Sequence, residues 1–404
     1  MNPIEKRNLL MVCNTLEISA LTQLVNSNVL TIQELEEANL SNDKIVNLKL
    51  SLDKKENEEK SKDKFKDLKE RLRTKKIKAS EIVRLLKSNE ITLEDLEEFK
   101  DERVITSRVF KALKYRINNS EFTPFQSIDD LHPMEEGRTD VYFVGVPGSG
   151  KSTMLSGILN YAFKNGLSLT DTYHNEGAKF QTKLLQDFGN GVLPAATASG
   201  SYNYIATSIL GEDEKRHPFN IVDVPGEVFN KIHDNPEVES FLHYIHNTNR
   251  KILAFVIDSL AHEDGYSNST NAYDQAIIYP NILQMFSRAG VLEQVDAIYL
   301  IVNKFDAIHD SIYSEDSRSF HELADEYLND QFKALLVNCI ETRKDSKSEF
   351  SIKVFPYSIG DVVYETILSR FNEDFSKVLL REIINDSFYV SESKGVNKIF
   401  KLNK

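Results

Sequence analysis

Nine consecutive residues decide the fold: Gly145-Val146-Pro147-Gly148-Ser149-Gly150-Lys151-Ser152-Thr153. They fit the Walker A pattern GxxxxGK[ST], in which a loop cradles phosphate groups. The apolar run Val141-Tyr142-Phe143-Val144 precedes them and predicts a buried strand, and Met154 to Lys164 predicts a helix. Because strand, glycine-rich loop and helix follow in this order, we predict a phosphate-binding loop and not a glycine-rich turn that binds nothing.

The predicted loop supplies three kinds of phosphate contact. Its glycines let the backbone approach the phosphates, and successive N–H groups at the helix N-terminus face the anion. Lys151 would place a charge against the β- and γ-phosphates, and the Ser152 hydroxyl would ligate Mg²⁺. The predicted nucleotide-binding residues of this loop are Gly145, Pro147, Gly148, Ser149, Gly150, Lys151, Ser152 and Thr153.

An acidic residue follows a later apolar strand. Phe219-Asn220-Ile221-Val222 ends in Asp223-Val224-Pro225-Gly226-Glu227, and a carboxylate at such a strand end can hold Mg²⁺ directly or through water. Gly226 would offer its N–H to a γ-phosphate. Any strand-to-turn junction can supply Asp-x-x-Gly, so the position after a Walker A strand favours the functional interpretation. A turn at Gly211 to Glu214 predicts that this strand and Tyr202 to Leu210 form a hairpin.

The stretch from Asn165 to Ser201 carries five glycines and predicts a long loop of functional importance. A second Mg²⁺ ligand that senses the γ-phosphate is expected just before the next strand. Thr197 and Ser199 are the candidates, and we favour Thr197. The alternative is an ordinary loop hydroxyl that hydrogen-bonds the backbone.

A later buried strand, Ala297 to Val302, leads into Asn303-Lys304-Phe305-Asp306, the base-recognition motif NKxD. Guanine presents N1–H and an exocyclic amino group on one edge, and the Asp306 carboxylate can accept from both. Adenine lacks this donor pair, so its entry would leave a buried carboxylate unsatisfied. Lys304 would lay its stem along the base, and Asn303 would tie this loop to the phosphate loop.

Two further strands complete the predicted sheet. Lys251 to Ile257 predicts a buried strand, and we interpret Asp258 at its end as a polar cap. Ile352 to Tyr357 predicts the last strand, after which a backbone N–H of Ser358 or Ile359 could meet the guanine O6. Asp361 to about Phe371 predicts a closing helix.

The first 120 residues contain a repeat. Leu21 to Glu37 aligns without a gap with Ile82 to Glu98, an offset of 61. Each copy predicts a helix, a tight turn and a second helix that starts in a capping box, Thr31 with Glu34 and Thr92 with Asp95. These helices are either a structural extension of the next domain or a pair of modules that bind a protein partner.

The composition is that of a globular protein: the chain of 404 residues is 41% hydrophobic and 27% charged. Its net charge of −13 argues against nucleic acid as the main partner. Neither Cys13 nor Cys339 lies in a CxxC, so we expect no disulfide or zinc framework. No run approaches the roughly 18 apolar residues of a membrane span. We therefore expect a cytoplasmic protein with no transmembrane segment.

The order of these motifs resembles that of the translation-factor-like (TRAFAC) P-loop GTPases, the class of Ras-like and Era-like domains. The resemblance covers about residues 138 to 375. It implies an α/β fold with a mostly parallel sheet of about six strands and helices on both faces. It also implies GTP, Mg²⁺, slow hydrolysis and switch loops that the γ-phosphate orders. The implied catalytic residues are Lys151, Thr197, Gly226 and Glu227, and the implied metal ligands are Ser152, Thr197 and Asp223.

The chain departs from the family pattern at three places. Glu227 stands where Ras-like members have a glutamine that orients water, which makes hydrolysis less certain. Gly148 stands where potassium-stimulated members have asparagine, so we expect no help from that ion. About eighty residues separate Asp223 from Asn303, and we expect extra helices or an effector surface in between.

We therefore predict a GTPase switch with an N-terminal helical extension that binds a protein partner, and dimerisation is possible on this interpretation. The alternative is a helical adaptor whose domain binds GTP but hardly hydrolyses it. The predicted segments are a first helical module (1–52), a charged connector or helix (53–78), a second helical module (79–120), a linker (121–137), the GTPase domain (138–385) and a tail (386–404).

Overall fold

The computed structural model describes most of the chain. The described residues are 3–119, 128, 131, 133–171, 177–194, 202–229, 236–262, 275–345 and 349–387. The chain divides into two compact units, Met1–Ile77 and Lys78–Lys404. Most of the predicted linker, residues 388–404 of the predicted tail, and the candidate switch residues Thr197 and Ser199 lie outside the described residues.

The first unit is helical. Its helices are α1 (Pro3–Met11), α2 (Ile18–Asn26), α3 (Ile32–Glu37) and α4 (Asn42–Arg73). Leu21, Leu35 and Leu48 are fully buried in its core. Helix α4 runs on through most of the charged segment, where lysine and glutamate are good helix formers.

The second unit begins with three helices, α5 (Ala79–Lys87), α6 (Leu93–Asp101) and α7 (Ser107–Asn118). Helix α5 occupies the positions of α2 shifted by 61 residues, the offset between the two sequence copies. Both predicted capping boxes are present, with Thr31 accepting from the Glu34 N–H and Thr92 from the Asp95 N–H. We call α5 to α7 the second helical module.

A seven-stranded sheet follows. Its strands are β1 (Thr139–Val144), β2 (Ser168–Thr170), β3 (Asn203–Leu210), β4 (Arg216–Asp223), β5 (Arg250–Asp258), β6 (Val295–Asn303) and β7 (Ser351–Tyr357). The strand order is β2-β3-β4-β1-β5-β6-β7. Strands β4, β1, β5, β6 and β7 are parallel, and β3 is antiparallel to both β2 and β4. This confirms the predicted hairpin and a mostly parallel α/β sheet.

Helices pack on both faces of the sheet, as predicted. They are α8 (Lys151–Lys164), α9 (Ala178–Gly189), α10 (Pro236–Ile245), α11 (Gln275–Arg288), α12 (Phe305–Ile312), α13 (Phe320–Gln331), α14 (Lys333–Asp345) and α15 (Glu373–Asn385). Alternate residues of β1 enter two cores: Tyr142 and Val144 pack on one face, and Val141 and Phe143 on the other. The strands are therefore continuous apolar runs, because both faces are covered.

Two local predictions were wrong. The stretch Asn165 to Ser201 contains β2 and α9 and is not one long loop, and β2 is the seventh strand of a sheet predicted to have about six. Phe180, Leu184 and Phe188 give α9 a helical period, and all three are buried. The predicted closing helix at 361–371 is a hairpin of β8 (Gly360–Val363) and β9 (Ile367–Phe371). Short apolar runs fit either period, and Tyr364-Glu365 is not a turn signal.

None of the helices in the described part of the chain is long and apolar enough to cross a membrane.

Candidate nucleotide-binding site

The predicted motifs meet at one edge of the sheet. The phosphate loop follows β1, Asp223 ends β4, Asp258 ends β5, Asn303 ends β6 and Ser358 follows β7. Cross-strand register places Phe143 opposite Asp223, and Asp258 opposite Asn303. Ligands of parallel α/β sheets bind outside the carboxyl ends of the strands, where neighbouring connections diverge. Here that point is β1, between β4 and β5.

The phosphate loop is built around Lys151, the first residue of α8. Its ammonium group donates to the carbonyls of Gly145 (2.8 Å) and Val146 (3.2 Å). Only 5% of the residue is exposed. Burial lowers the pKa of Lys151, while the nearby carboxylates of Asp223 and Glu227 oppose this shift. The ammonium is thus desolvated inside the loop and lies near both acidic residues of the second motif.

The Ser152 hydroxyl and the Asp223 carboxylate lie side by side. The hydroxyl donates to Asp223 Oδ2 at 2.7 Å. Mg²⁺ takes oxygen ligands, and two adjacent ligands of one octahedral ion are about 2.9 Å apart. The pair therefore fits Mg²⁺ without rearrangement of the strands. The described residues contain no cluster of three or more His, Cys, Asp or Glu that could hold a metal by itself.

The Asp-x-Pro-Gly turn packs directly against the phosphate loop. A Cβ on Gly226 would lie 2.3 Å from the Pro147 nitrogen, so only glycine permits this approach. Gly226 begins a 3₁₀ turn, Gly226–Phe229, that carries Glu227. The structure thus brings Gly226 and Glu227 to the phosphate loop.

Asn303 joins the base motif to the phosphate loop, in the role predicted for it. Its side-chain Nδ2 donates to the Ser149 carbonyl at 2.7 Å. Gly150 adopts φ +90°, and a Cβ there would lie 2.3 Å from the same Nδ2 atom. The glycine is therefore required twice, for its backbone conformation and for the room it gives Asn303.

Substituting alanine for Gly150 should test this requirement. We expect Gly150→Ala to lose about 2 kcal/mol or more of unfolding free energy, because alanine resists a left-handed backbone and would collide with Asn303. Denaturant unfolding of the nucleotide-free chain measures it. Gly189→Ala is the matched control: Gly189 ends α9, and a Cβ there meets nothing within 4 Å. Equal stability of both variants would contradict the geometry.

Lys304 is held in place by a residue that the sequence analysis had interpreted as a polar cap. Its ammonium pairs with the Asp258 carboxylate at 2.8 Å and donates to the Gly148 carbonyl at 3.3 Å. The Asp258 side chain is fully buried, and Lys304 has a left-handed backbone, φ +60°. Asp258 caps the strand end as predicted, since its Oδ1 accepts from the Leu260 N–H at 3.2 Å, and its Oδ2 is in addition the counter-ion of the NKxD lysine. Its place at the end of the strand next to β6 was the available signal.

Helix α11 supports the same edge through two side chains whose role the sequence analysis did not predict. The Gln275 amide bonds both backbone groups of Asp258, accepting from N–H at 2.9 Å and donating to C=O at 3.1 Å. One turn later, Tyr279 donates to the Val256 carbonyl at 2.7 Å. Both side chains are fully buried, so the start of α11 fixes the end of β5 between the phosphate loop and the base motif.

Asp306 lies in the first turn of α12, half-exposed. No described group hydrogen-bonds to its carboxylate, so it remains available to a ligand. Ser358 is buried, and its hydroxyl accepts from the Gly360 N–H at 3.1 Å. Ile359 packs on α8, where a Cβ on Gly157 would lie 2.5 Å from Ile359 Cδ1. The structure thus places Ser358 and Ile359 at the same edge as the other predicted residues.

The buried polar atoms at the site that lack a hydrogen-bond partner among the described residues include Ser149 Oγ and Asn203 Nδ2. Asn203 lies directly opposite Asp223 in the β3–β4 pair. Opposite residues of an antiparallel pair share one face of the sheet. Asn203 is therefore a neighbour of the predicted metal ligand that sequence reasoning missed. Such unsatisfied buried groups require an explanation, and a bound ligand or water is one.

Comparisons with known proteins add little beyond the fold. No family model and no curated protein matches the chain. Two similar solved structures are the signal recognition particle receptor SRb-GTP/SRX complex from Chaetomium thermophilum and a protein assigned as nucleolar GTP-binding protein 1 from Plasmodium falciparum. The first is 15% identical with a TM-score of 0.32, covering 56% of this chain and 94% of its own. The second is 14% identical with a TM-score of 0.30, and the match covers 67% of this chain and 97% of the other protein's chain. Scores this low support no inference about function.

The candidate site combines a buried ammonium, a hydroxyl beside a carboxylate, and a half-exposed carboxylate in the predicted base-recognition motif. These groups suit, in order, phosphate, a divalent cation and the donor edge of a purine. Thr197, the predicted third metal ligand and switch residue, stays a prediction.

Proposed function

We propose that this protein binds GTP with Mg²⁺ and hydrolyses it to GDP and phosphate, and that it acts as a nucleotide-dependent switch. One observation carries the proposal: the Asn303 side chain bonds the Ser149 carbonyl. Because that bond joins the base motif to the phosphate loop, a single nucleotide could contact Asp306 and Lys151 together.

Each residue has a distinct role in this proposal. Asp306 selects guanine by accepting hydrogen bonds from N1–H and from the exocyclic amino group of the base. Lys304, oriented by its ion pair with Asp258, lies along the base. Lys151 and the loop N–H groups hold the phosphates. Ser152 and Asp223 would hold Mg²⁺, which when bound neutralises charge on the β- and γ-phosphates. Gly226 would offer its N–H to the γ-phosphate, and Glu227 would accept a hydrogen bond from the attacking water.

The N-terminal helices would bind a protein partner and report the nucleotide state. The first unit folds as a separate helical body, and exposed apolar residues Val46 and Leu50 stand one turn apart on α4. A protein partner on this face of α4 would cover both apolar side chains. A partner, or a second copy in a dimer, would also be the source of any arginine finger.

The alternative is a helical adaptor with a domain that binds GTP but turns it over weakly. Glu227 favours it, because a carboxylate near the γ-phosphate adds negative charge where a glutamine would add none. Titration of the full chain with a fluorescent GTP analogue, competed by GTP or ATP, tests binding under either reading. Equal competition by ATP and GTP would contradict the proposed guanine selectivity. Tight GTP binding with a phosphate-release rate no higher than the background rate would favour the adaptor.

Substituting alanine for Glu227 distinguishes the GTPase switch from the weakly hydrolysing adaptor. We expect Glu227→Ala to lower the turnover rate by about 10- to 100-fold, because the water loses its acceptor. The dissociation constant for GTP should stay within about threefold, since Glu227 does not hold the base or the phosphates. Phosphate release under saturating GTP measures the rate. Glu214→Ala, in the β3–β4 turn, is the control. An unchanged or faster rate in Glu227→Ala would contradict this role.

A further inference from the structure

A hairpin continues directly from the predicted guanine loop. Residues Ser358 and Ile359 run into β8, and the hairpin returns to its starting point where the Asn372 N–H donates to the Ile359 carbonyl at 3.1 Å. At its root the Gly360 N–H donates to the Ser358 hydroxyl. Any displacement of the hairpin is therefore transmitted to the residues predicted to meet the guanine O6.

The same hairpin holds the segment that leads into the predicted switch. The Leu193 N–H donates to the Thr366 carbonyl at 2.9 Å, and the Leu368 N–H donates to the Gly191 carbonyl at 2.8 Å. Val192 and Ile367 form an antiparallel bridge between these two bonds. Residues 191–193 are thus joined to β9 by an isolated β-bridge with a hydrogen bond on either side, and the sequence continues from them towards Thr197.

The tip of the hairpin has a backbone that its residues do not favour. Tyr364 and Glu365 both adopt left-handed conformations, with φ of 53° and 68°. Large side chains avoid this region, and strained residues persist only where their surroundings hold them. An isolated two-stranded hairpin is also only marginally stable in water. The described structure of the hairpin therefore depends on contacts from outside it.

The second helical module supplies those contacts. The Ala79 N–H at the start of α5 donates to the Tyr364 carbonyl at 3.0 Å. Arg116, in the last turn of α7, donates to the Thr366 hydroxyl. Its neighbour Tyr115 donates to the Asp187 carboxylate of α9 at 2.9 Å. One turn of α7 thus holds the hairpin tip and the end of α9, which flank residues 191–193 on both sides.

From this arrangement we infer that Tyr115 and Arg116 are positioning residues of the nucleotide site. Neither residue is among those that we assign to the base or the phosphates. They act through the hairpin, which fixes the guanine loop at its root and the segment before the predicted switch along β9. With α7 released, both ends of the site loosen together and bound nucleotide leaves faster. The inference rests on the proposed function, since it concerns the same site.

The test is the dissociation rate of a fluorescent GDP analogue from the full-length chain. In Arg116→Ala we expect dissociation to accelerate by about 5- to 100-fold, the range of ordinary coupling between sites. Selectivity for guanine over adenine nucleotides should not change, because Asp306 is untouched. Amide hydrogen exchange should rise in peptides covering 191–193 and 358–371. Arg84→Ala is the control: it removes an exposed ion pair with Glu90 in the same module, and dissociation should not change.

A second variant separates positioning from a general loss of stability. Glu365→Gly relieves the backbone strain at the tip and removes only an exposed ion pair with Lys78. Added to Arg116→Ala, it should restore much of the slow dissociation, because the hairpin then needs less support. An Arg116→Ala protein that melts at a lower temperature but releases GDP at the original rate would overturn this inference and would leave the proposed function unaffected. An unaltered chain that binds no guanine nucleotide would overturn the proposed function and the inference with it.

Discussion

An Asp306→Asn protein is expected to exchange its preference for GTP for one for xanthosine triphosphate. In the proposed site the carboxylate would accept from guanine N1–H and from the exocyclic amino group of the base, and an amide can accept only one of these bonds. Xanthine has an oxygen in place of the amino group, so the new amide would donate to it while still accepting from N1–H. We expect GTP affinity to fall by at least about 100-fold and xanthosine triphosphate to bind in its place, because unpaired polar groups in a base site are strongly penalised.

Competition against a fluorescent nucleotide measures both affinities in one titration. The matched control is Asp310→Asn, the same chemical change one turn later on α12, where the side chain is 84% exposed. It should bind GTP as the unaltered chain does. Loss of GTP without gain of the xanthine nucleotide would mean that Asp306 supports the loop and does not read the base.

A Lys151→Met protein is expected to lose nucleotide binding without losing stability. In the proposed site the ammonium would contact the β- and γ-phosphates, so we expect the GTP dissociation constant to rise by at least about 100-fold. The folded state lowers the pKa of Lys151 mainly through burial. A lysine whose pKa is lower in the folded than in the unfolded state disfavours folding while it is charged, and this penalty fades as pH rises through the folded value. Methionine keeps the stem and removes the charge.

At neutral pH the nucleotide-free variant should therefore melt close to the temperature of the unaltered chain, because relief of the burial penalty offsets the loss of the hydrogen bonds to the Gly145 and Val146 carbonyls. The rise in melting temperature that GTP gives the unaltered chain should vanish. Lys164→Met, at the exposed end of the same helix, is the control and should keep that rise. A variant that still responds to GTP would remove Lys151 from the phosphate site.

Much of the site could be predicted because its motifs have local causes. The glycines before Lys151 can adopt backbone conformations that other residues avoid, so their spacing predicts the loop. The NKxD motif follows a strand that its apolar run predicts. By contrast, Asp258 looked like an ordinary strand cap, and its pairing with Lys304 depends on β5 and β6 lying side by side. The roles of Gln275 and Tyr279 could not be predicted for the same reason, since their hydrogen-bond partners are backbone groups of another element, β5.

The hairpin shows where local patterns mislead. Val362, Val363, Ile367 and Leu368 are compatible with a helix or with two short strands, and no glycine or asparagine marks the turn between them. Tyr364 and Glu365 reach left-handed conformations only because α5 and residues 191–193 hold their surroundings. Contacts with residues far away in the sequence therefore hold this turn in a conformation that its own residues do not favour.

The amino-acid sequence by itself determined the phosphate loop, the acidic strand end, the base motif and the repeated helical units, because each is written in neighbouring residues. Only the tertiary structure decided that these motifs meet at one sheet edge, that Asp258 pairs with Lys304, and that α7 braces the hairpin. Those facts are contacts between residues far apart in the chain, and they exist only once the strands have been ordered by packing their apolar faces.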